Sequence, residues 1–331
     1  MIRLFENTIV RITSALIIIV ISCYLYLNRA LPQHIHPAAF SCLEEGDGHF
    51  LEENYQFTNI YGVGLAYANH INETASEFDF DIGPPVFRKA LLSITMDESI
   101  VDIPSPPELQ KSVEELETGI TDSLRHEGIE LSTLLDHEVE LAFVLLENIS
   151  QHELNDSNFT PKIGFFIAND LSARSVAVLG EGQQNRYDYW GASKSFPGFT
   201  PISSRIWVPR TNSPNAIPCV TLQTHVNGDL RQSESTNNLI YRPVDMLRFI
   251  QQRYPFSLMT KGDIVLTGTP GGVIFNIPRW KARAAKILGL NRFLKLAFAQ
   301  NKASAEAFLQ AGDNVRVSGE WLGDVTVTIA K

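Results

Sequence analysis

Two glutamates stand one residue apart in the apolar stretch DHEVELAFVLLEN, residues 136–148. Alternate side chains of a β-strand share a face, so Glu138 and Glu140 would point the same way. Two neighbouring carboxylates repel each other, which raises at least one pKa unless a cation lies between them. A hard divalent ion such as Mg²⁺ takes oxygen ligands of this kind. The pair therefore predicts either a metal site or, as the plainer alternative, two ordinary glutamates on a solvated strand face.

Three further segments place polar residues beside apolar runs, where a metal site could use them. IGFFIANDLSAR ends a strand-like run on Asn169 and Asp170, and Asp170 can supply a third oxygen. WGASKSFPGFTP holds Lys194 between small residues, and GDIVLTGTPGGV carries Thr269 on a glycine-flanked turn after another apolar run. Together with the glutamate pair, these segments favour the metal site.

The elements that must position these residues are mostly strands. The chain has 331 residues, of which 44% are hydrophobic, enough for a large core. Short apolar runs with alternation recur from residue 58 onwards, whereas helical periodicity is limited to stretches such as PVDMLRFIQQRY. This pattern predicts a strand-rich α+β domain with peripheral helices. The formal net charge of −10 argues against a nucleic-acid partner, because such binders usually present a basic surface.

The N-terminal segment ITSALIIIVISCYLYLN, residues 12–28, carries no charge and is rich in aliphatic side chains. A membrane-spanning helix needs about 20 apolar residues, with a lower limit of about 17. Arg3 and Arg11 precede this segment and only Arg29 follows it closely. This slight excess of positive charge on the N-terminal side would place the N-terminus in the cytoplasm and the main domain on the extracytoplasmic side of a membrane. A cleaved secretory signal is the alternative. The predicted organisation is a flank at 1–11, a single transmembrane anchor at 12–28, a linker at 29–57 and a globular domain at 58–331.

The three cysteines of the chain, Cys23, Cys42 and Cys219, lack the spacing of a metal site. Cys23 falls in the predicted anchor, so at most one intramolecular disulfide can form, between Cys42 and Cys219. Because that pair is allowed but not required, the cysteines leave the redox compartment open.

Six motifs of the chain resemble, in the same order, those of the fumarylacetoacetate hydrolase family, specifically its C-terminal-type catalytic domain. The match runs from about Asn59 to Ile329. The resemblance implies a mixed β-sandwich or β-roll fold with peripheral helices, usually assembled as a homodimer. The motifs are YGVGLAYANHINE, HEVELAFVL, IANDLSAR, ASKSF, VNGDLRQSESTNNLI and GDIVLTGTPGGV.

The resemblance also implies a cofactor, Mg²⁺ or Mn²⁺, held by Glu138, Glu140 and Asp170. The metal would bind the two oxygens of a small 2-oxo acid, polarise its carbonyl and stabilise the enolate that forms when a carbon–carbon bond breaks or a proton leaves. His70 and Glu73 in HINE match the pair that activates water in family members that hydrolyse acylpyruvates. Three residues apart on a helical turn, the two side chains would share a face.

Other site residues follow from the same resemblance. Lys194 would offer a cation to the developing oxyanion or to the substrate carboxylate, while Arg174, Thr269 and Tyr67 would bind the substrate. The predicted function is a divalent-metal-dependent hydrolase that cleaves a carbon–carbon bond in an acylpyruvate- or fumarylpyruvate-like 2-oxo acid. The alternatives are a hydratase, decarboxylase or isomerase of a 2-oxo acid at the same site, and a non-catalytic membrane protein that binds 2-oxo acids.

The chain departs from the family pattern in two places. The family commonly follows N-D-x-S-A-R with Asp and has a Gln two residues later, whereas Arg174 is followed by Ser175, Val176 and Ala177. Ala66 stands where the family usually has Asn before the tyrosine. Both changes bear on substrate orientation more than on metal binding, because the three carboxylates are intact.

A basic helical insert, residues 279–309, lies where family members usually have a shorter connection. Between Arg279 and Lys302 it holds seven basic residues and no acidic one. The pattern predicts two short amphipathic helices that break at Gly289 and lie against lipid headgroups. A helix packed on the domain or on a dimer partner, and a lid over the site, are the alternatives.

Overall fold

The computed structural model describes residues 20–22, 24–26, 37–51, 55–73, 83–275, 279–302 and 308–331. The strands are β1 (Ser41–Leu43), β2 (Gly48–Phe50), β3 (Ile60–Val63), β4 (Val86–Lys89), β5 (Ile94–Thr95), β6 (Ser99–Asp102), β7 (Leu135–Asp136), β8 (Val139–Leu145), β9 (Ile163–Asn169), β10 (Ser172–Ala173), β11 (Thr200–Pro201), β12 (Trp207–Pro209), β13 (Ala216–Pro218), β14 (Thr221–Val226), β15 (Asp229–Ser235), β16 (Ile264–Leu266), β17 (Asn314–Gly319) and β18 (Asp324–Ala330).

Short helices surround these strands. They are α1 (Ala68–Glu73), α2 (Pro106–Leu116), α3 (Ile120–His126), α4 (Gln151–Asn155), α5 (Arg174–Leu179), α6 (Arg186–Ser193), α7 (Pro243–Arg253), α8 (Arg279–Ile287) and α9 (Arg292–Lys302). Proline begins α2 and α7, where its missing N–H costs no helical hydrogen bond.

Two large sheets form the centre of the fold. The seven-stranded sheet has the order β2-β12-β9-β8-β16-β3-β4, and the five-stranded sheet has the order β15-β14-β17-β18-β6. The sheets pack face to face, since Leu141 and Phe143 of β8 share one apolar cluster with Leu222 of β14 and Val317 of β17. Every residue of β8 and β9 is buried, which explains why both strands appear in the sequence as continuous apolar runs.

Because side chains alternate along a strand, the two faces of β8 pack against different parts of the protein. Leu141 and Phe143 face the second sheet, while Ala142 and Val144 pack on the opposite face with Phe166 of β9. The glutamate at position 140 is two residues from Ala142, so it lies on this second face. The carboxylates therefore share a face with one part of the core and leave the contact between the sheets apolar.

The register of β8 against β9 determines which ends of these two strands lie together. The strands are antiparallel, and their pairing runs from Val139 opposite Asn169 to Leu145 opposite Ile163. The start of β8 and the end of β9 therefore lie together, and residues 146–162 connect the strands at the far end. β16 pairs with the other edge of β8 and ends beside Ala142, so the turn that follows it returns towards the glutamates.

The predicted transmembrane helix is wrong. Within the span 12–28 the structure describes residues 20–22 and 24–26, which are helical, and the remaining positions lie outside the described residues. No helix in the described part of the chain is both long and apolar enough to cross a membrane. The physical reason is length, because a span needs about 20 residues in one helix.

A disulfide joins Cys42 in β1 to Cys219, which follows β13. The two strands pair in parallel, with Cys42 opposite Ile217, and the bond links positions 177 residues apart in the chain. The sequence left this pairing open. Cys23 lies outside the described residues.

The basic insert is represented by α8 and α9. Arg292, at the start of α9, donates to both carboxylate oxygens of Glu117, at 2.6 and 2.5 Å. Leu296 is fully buried in a cluster that includes Val176 of α5 and Tyr189 of α6. These contacts hold α9 on the domain, which favours the packed alternative for this helix.

Candidate active site

Three carboxylates meet where β8 begins and β9 ends. Oxygen atoms of Glu138, Glu140 and Asp170 lie within 4.8 Å of one another, and all three side chains are buried. The backbone places them, because Asp170 N donates to Glu138 O at 2.8 Å and Glu138 N donates to Asn169 Oδ1 at 3.0 Å. An all-oxygen set of this kind suits a hard divalent cation. The donor set therefore fits the metal that the sequence predicts.

The local charges affect the two glutamates in opposite ways. Burial, followed by the negative charges of Asp170 and Glu138, raises the pKa of Glu140 well above its usual range. Burial would also raise the pKa of Glu138, but the charges of Lys194 and Arg174 outweigh it and hold that pKa at about 2. Glu140 accepts a hydrogen bond from Gly268 N at 2.8 Å, in the turn after β16. Glu140 is thus the carboxylate that a bound cation would stabilise most.

Two buried lysines face the carboxylates. Lys194 Nζ lies 2.5 Å from Glu138 Oε2 and 2.7 Å from Asp170 Oδ2, and it donates to Ser172 Oγ at 2.7 Å. Burial opposes the charge of Lys194, but Asp170 and Glu138 outweigh it and raise the lysine pKa. Lys89, at the end of β4, contacts Asp170 and donates to Phe199 O at 3.0 Å. Its pKa is lowered, chiefly by burial.

Lys89 is a site residue that sequence reasoning missed. It ends the short apolar run PPVFRK, and a lysine that closes a buried strand was the available signal. A buried ammonium needs a partner, and 81 residues separate Lys89 from the aspartate that supplies it. The strand pattern alone does not identify that partner.

Arg174 lies at the edge of the site. Its partners are carboxylates of the protein, whereas the sequence predicted a substrate carboxylate. Its guanidinium lies 2.8 Å from Asp136 Oδ2 and 2.5 Å from Glu138 Oε1. Asp136 in turn accepts from Ile274 N and Phe275 N, each at 3.0 Å. Arg174 therefore links the start of β8 to the loop after β16. Its role as a substrate ligand stays a prediction.

Gln232 of β15 holds Thr269 and the start of β8 together. Its Oε1 accepts from Val139 N at 3.1 Å and from Thr224 Oγ1 at 2.8 Å. Its Nε2 donates to Thr269 Oγ1 at 2.9 Å and to Pro270 O at 3.0 Å. Thr269 Oγ1 donates to Val139 O at 3.0 Å. The predicted substrate ligand Thr269 is thus a bonded part of the framework, and Gln232 is a positioning residue that the sequence motif contained without indicating this role.

His70 and Tyr67 reach the site from α1 and the residue before it. Both side chains are buried. Burial lowers the pKa of His70 to about 4, while the nearby charge of Glu138 acts in the opposite direction and those of Arg174 and Lys194 add to the effect. The imidazole is therefore neutral at pH 7. The predicted partner of His70, Glu73, ends α1, but its side chain lies outside the described residues.

The Tyr67 hydroxyl is suited to a ligand oxygen. Burial raises the pKa of Tyr67 well above its usual range, and the charges of Glu140 and Glu234 raise it further, so the hydroxyl keeps its proton. Among the described residues it has no hydrogen-bond partner. A buried hydroxyl without a partner costs about 1–3 kcal/mol, which a substrate oxygen would offset.

Glu234 connects α1 to the β15 end of the framework. Its Oε2 accepts from Asn69 Nδ2 at 2.6 Å, and its Oε1 accepts from Asn238 Nδ2 at 2.5 Å. Asn69 is the residue before His70, so this carboxylate fixes the backbone that carries the imidazole. The pairing spans 165 residues of sequence and could not be predicted from local pattern.

The arrangement combines a neutral base, three carboxylates and two ammonium groups in one buried place. It can accept a divalent cation on its oxygens and bind an anionic substrate beside the cationic groups. The neutral imidazole can take a proton. These are the parts that enolate chemistry requires.

Comparison with known proteins identifies a family model that spans the globular domain and relatives that match about two thirds of the chain. A family model described as fumarylacetoacetate (FAA) hydrolase C-terminal matches residues 59–330. An uncharacterized protein of Methanocaldococcus jannaschii is 30% identical over 223 residues, which are 65% of this chain and 73% of that protein. The oxaloacetate tautomerase of Bacillus subtilis is 28% identical over 218 residues, 65% of this chain and 59% of the tautomerase. The chain therefore spans less than two thirds of the tautomerase.

A solved structure has a similar fold. The crystal structure of fumarylpyruvate hydrolase from Pseudomonas aeruginosa in complex with Mn²⁺ and pyruvate superposes with a TM-score of 0.52 and 17% identity. The match covers 92% of this chain and 99% of that one. At this identity the likeness concerns the fold alone.

Proposed function

The chain belongs to the fumarylacetoacetate hydrolase family, and on that premise we propose that it is a divalent-metal-dependent enzyme for a small 2-oxo acid. The proposed reaction is hydrolysis of the carbon–carbon bond of an acylpyruvate- or fumarylpyruvate-like substrate. The observation that supports it is the buried, neutral imidazole of His70, which senses the charge of Glu138, one of the three converging carboxylates. A base that is neutral at pH 7 can activate water beside a carbonyl.

The positions of the side chains support the proposed roles. A divalent ion held by Glu138, Glu140 and Asp170 would polarise the 2-oxo acid carbonyl and stabilise negative charge on its oxygens. Tyr67 donates its hydroxyl proton as a hydrogen bond to a substrate oxygen. Lys194, which is buried and positively charged, adds favourable charge where an anionic substrate binds.

His70 moves the proton. It takes one proton from the attacking water, whose oxygen bonds to the acyl carbonyl carbon. The carbon–carbon bond then breaks, and its electron pair stays with the 2-oxo acid fragment as an enolate. The imidazolium returns its proton to carbon 3 of that enolate. The products are a carboxylic acid and pyruvate or a substituted pyruvate, so one water is consumed in each turnover.

Tautomerisation of an oxaloacetate-like acid is a second candidate. It is favoured by relatives in this family that are named oxaloacetate tautomerases, including a bovine mitochondrial one that is 28% identical over 222 residues. In the enol-to-keto direction His70 would take the proton of the hydroxyl on carbon 2 and deliver a proton to carbon 3. No water would be consumed.

A substrate panel tests both candidates. The full chain is incubated with Mg²⁺, Mn²⁺ or excess EDTA and with acetylpyruvate, fumarylpyruvate or oxaloacetate. We expect metal-dependent release of pyruvate from an acylpyruvate, measured with lactate dehydrogenase and NADH. Faster enol-to-keto conversion of oxaloacetate without pyruvate release would select the tautomerase candidate. No turnover of any of the three with either metal would contradict the proposal.

The link between Glu234 and α1 gives a prediction for the same assay. Replacement of Glu234 by Ala removes the acceptor of the Asn69 and Asn238 amides, so α1 loses its link to β15. We expect kcat to fall about 10- to 100-fold, because small displacements of a reacting group have effects of this size. KM should change much less, since Glu234 does not touch the triad.

Two variants separate positioning from general damage. Glu234→Gln keeps the size of the side chain and one carbonyl acceptor, and should recover most of kcat. Glu147→Ala, at the distal end of β8 where Glu147 pairs with Lys162, should leave kcat unchanged. Equal losses of kcat and of melting temperature in Glu234→Ala and Glu234→Gln would show that Glu234 only stabilises the fold.

A further inference from the structure

The connection between β8 and β9 carries three modification motifs. The triplets Asn148-Ile149-Ser150, Asn155-Asp156-Ser157 and Asn158-Phe159-Thr160 all have the form Asn-x-Ser/Thr with no proline at the middle position. Such triplets are acceptors of N-linked oligosaccharide when they lie on the surface of a protein that passes through a glycosylating compartment. Thirteen residues of one connection hold all three.

The three asparagines are exposed, but their surroundings differ. Asn148 Oδ1 accepts from Lys261 N at 2.8 Å, so its amide is already used to hold a loop. Asn155 is the last residue of α4. Asn158 lies in the turn after that helix, where its backbone N donates to Asp156 Oδ1 at 2.9 Å. A side chain on an exposed turn is the most accessible to a transferase.

The disulfide between Cys42 and Cys219 is an independent observation that points to the same environment. Disulfides form and persist in oxidising compartments and are rare where the thiol pool is kept reduced. Cys42 and Cys219 are 177 residues apart, and the fold of β1 and β13 brings them together. A pair of this kind is consistent with folding in the compartments that also attach N-glycans.

We propose that Asn158 carries an N-linked oligosaccharide and that this domain folds in an oxidising, N-glycosylating compartment. The Asn158 Nδ2 atom would bond to the anomeric carbon of an oligosaccharide supplied as a lipid diphosphate. The bond between that carbon and the diphosphate oxygen breaks, the lipid diphosphate leaves, and Nδ2 loses one proton. The co-reactant is thus a glycosyl diphosphate, and no oxidant or reductant takes part.

The position of the turn makes the modification compatible with activity. β8 and β9 are each seven residues long, and a strand rises about 3.3 Å per residue, so the far connection is roughly 20 Å from the carboxylates. An oligosaccharide on Asn158 would extend into solvent at the end of the sheet away from the site. The fourth triplet of the chain, Asn72-Glu73-Thr74, has side chains outside the described residues and carries no part of the proposal.

The test uses the full chain with no added targeting sequence, produced in a eukaryotic cell that N-glycosylates secretory proteins. Gel mobility and intact mass are measured before and after peptide-N-glycosidase F. Thr160→Ala destroys the Asn158 triplet, whereas Thr160→Ser retains it with a nearly identical side chain. We expect the enzyme-sensitive mass to decrease by one oligosaccharide in Thr160→Ala and to persist in Thr160→Ser. Alkylation without reductant should leave Cys42 and Cys219 unlabelled.

Each of the other possible outcomes overturns one part of this proposal. If the wild-type chain shows no mass change with the glycosidase, the glycosylation proposal fails. If the change is the same in wild type and Thr160→Ala, the assignment to Asn158 fails. If Cys42 and Cys219 of the isolated chain are alkylated without reductant, the assignment to an oxidising compartment fails. None of these results depends on the catalytic activity.

Discussion

The variant Glu140→Gln is expected to lose divalent-metal binding and turnover together. Glutamine has nearly the same shape as glutamate and can still accept from Gly268 N, so the turn after β16 should keep its position. It removes, however, a negative charge from a buried set of three carboxylates. Loss of a group that hydrogen-bonds to a metal ligand typically lowers metal affinity about 10- to 100-fold. Loss of a ligand itself should therefore lower the affinity more than about 100-fold. Titration calorimetry with Mg²⁺ and Mn²⁺ measures the affinity directly.

A matched change on the same strand pair controls for charge alone. Glu147 lies beyond the other end of β8 and its partner Lys162 is exposed, so Glu147→Gln should leave metal affinity and turnover unchanged. Thermal melting of both variants checks the fold. If Glu140→Gln binds Mg²⁺ as tightly as the wild type while still folded, the convergence of the three carboxylates has another purpose and the metal assignment is wrong.

The variant His70→Ala is expected to lose hydrolysis by about two to four orders of magnitude, as is typical for loss of a general base. Metal-dependent binding of oxalate, a planar mimic of an enolate, should remain nearly unchanged, because the carboxylate set is intact. Single-turnover kinetics and oxalate inhibition separate the two properties. The exposed His152 of α4 provides the control, and His152→Ala should retain wild-type rates.

The pH profile gives a second measure of the same residue. Burial holds the pKa of His70 at about 4, below the usual value of 6.5, so its basic form is present at pH 7 and is lost only as the pH falls through about 4. With metal kept saturating at each pH, kcat/KM should therefore stay level from pH 7 to about pH 5. A decline centred near pH 6.5, or turnover in His70→Ala equal to that of the wild type, would contradict the assignment of His70 as the base.

Some of the candidate site was accessible from the sequence because it depends on local periodicity. Glu138 and Glu140 converge through strand alternation, and Asp170 follows directly on an apolar run that becomes β9. The pairing of Val139 with Asn169 then brings the two ends together. The contribution of His70 and Tyr67 came from motif resemblance, since a short helix after a strand has no periodicity that marks it as functional.

The remainder depends on contacts between distant parts of the chain. Lys89 meets Asp170 across 81 residues, and Gln232 meets Val139 across 93. Such pairs arise from sheet order and register, which a single sequence does not specify. The N-terminal prediction failed for a different reason. The many aliphatic side chains in residues 12–28 favoured a membrane span, whereas the described residues contain no helix long and apolar enough to cross a membrane.

The pairing of β8 with two neighbours has a consequence for altering this protein. β9 fixes one edge of β8 and β16 fixes the other, so the strand cannot slide along either partner independently. A shift by one residue would turn Glu138 and Glu140 into the space between the sheets and Phe143 out of it. Residues inserted at the tip of the 146–162 connection create no such shift, since both edges of β8 remain paired. An affinity tag or a reporter peptide inserted between Ser157 and Asn158 should accordingly be tolerated, whereas a single inserted residue between Asp136 and Glu140 should not.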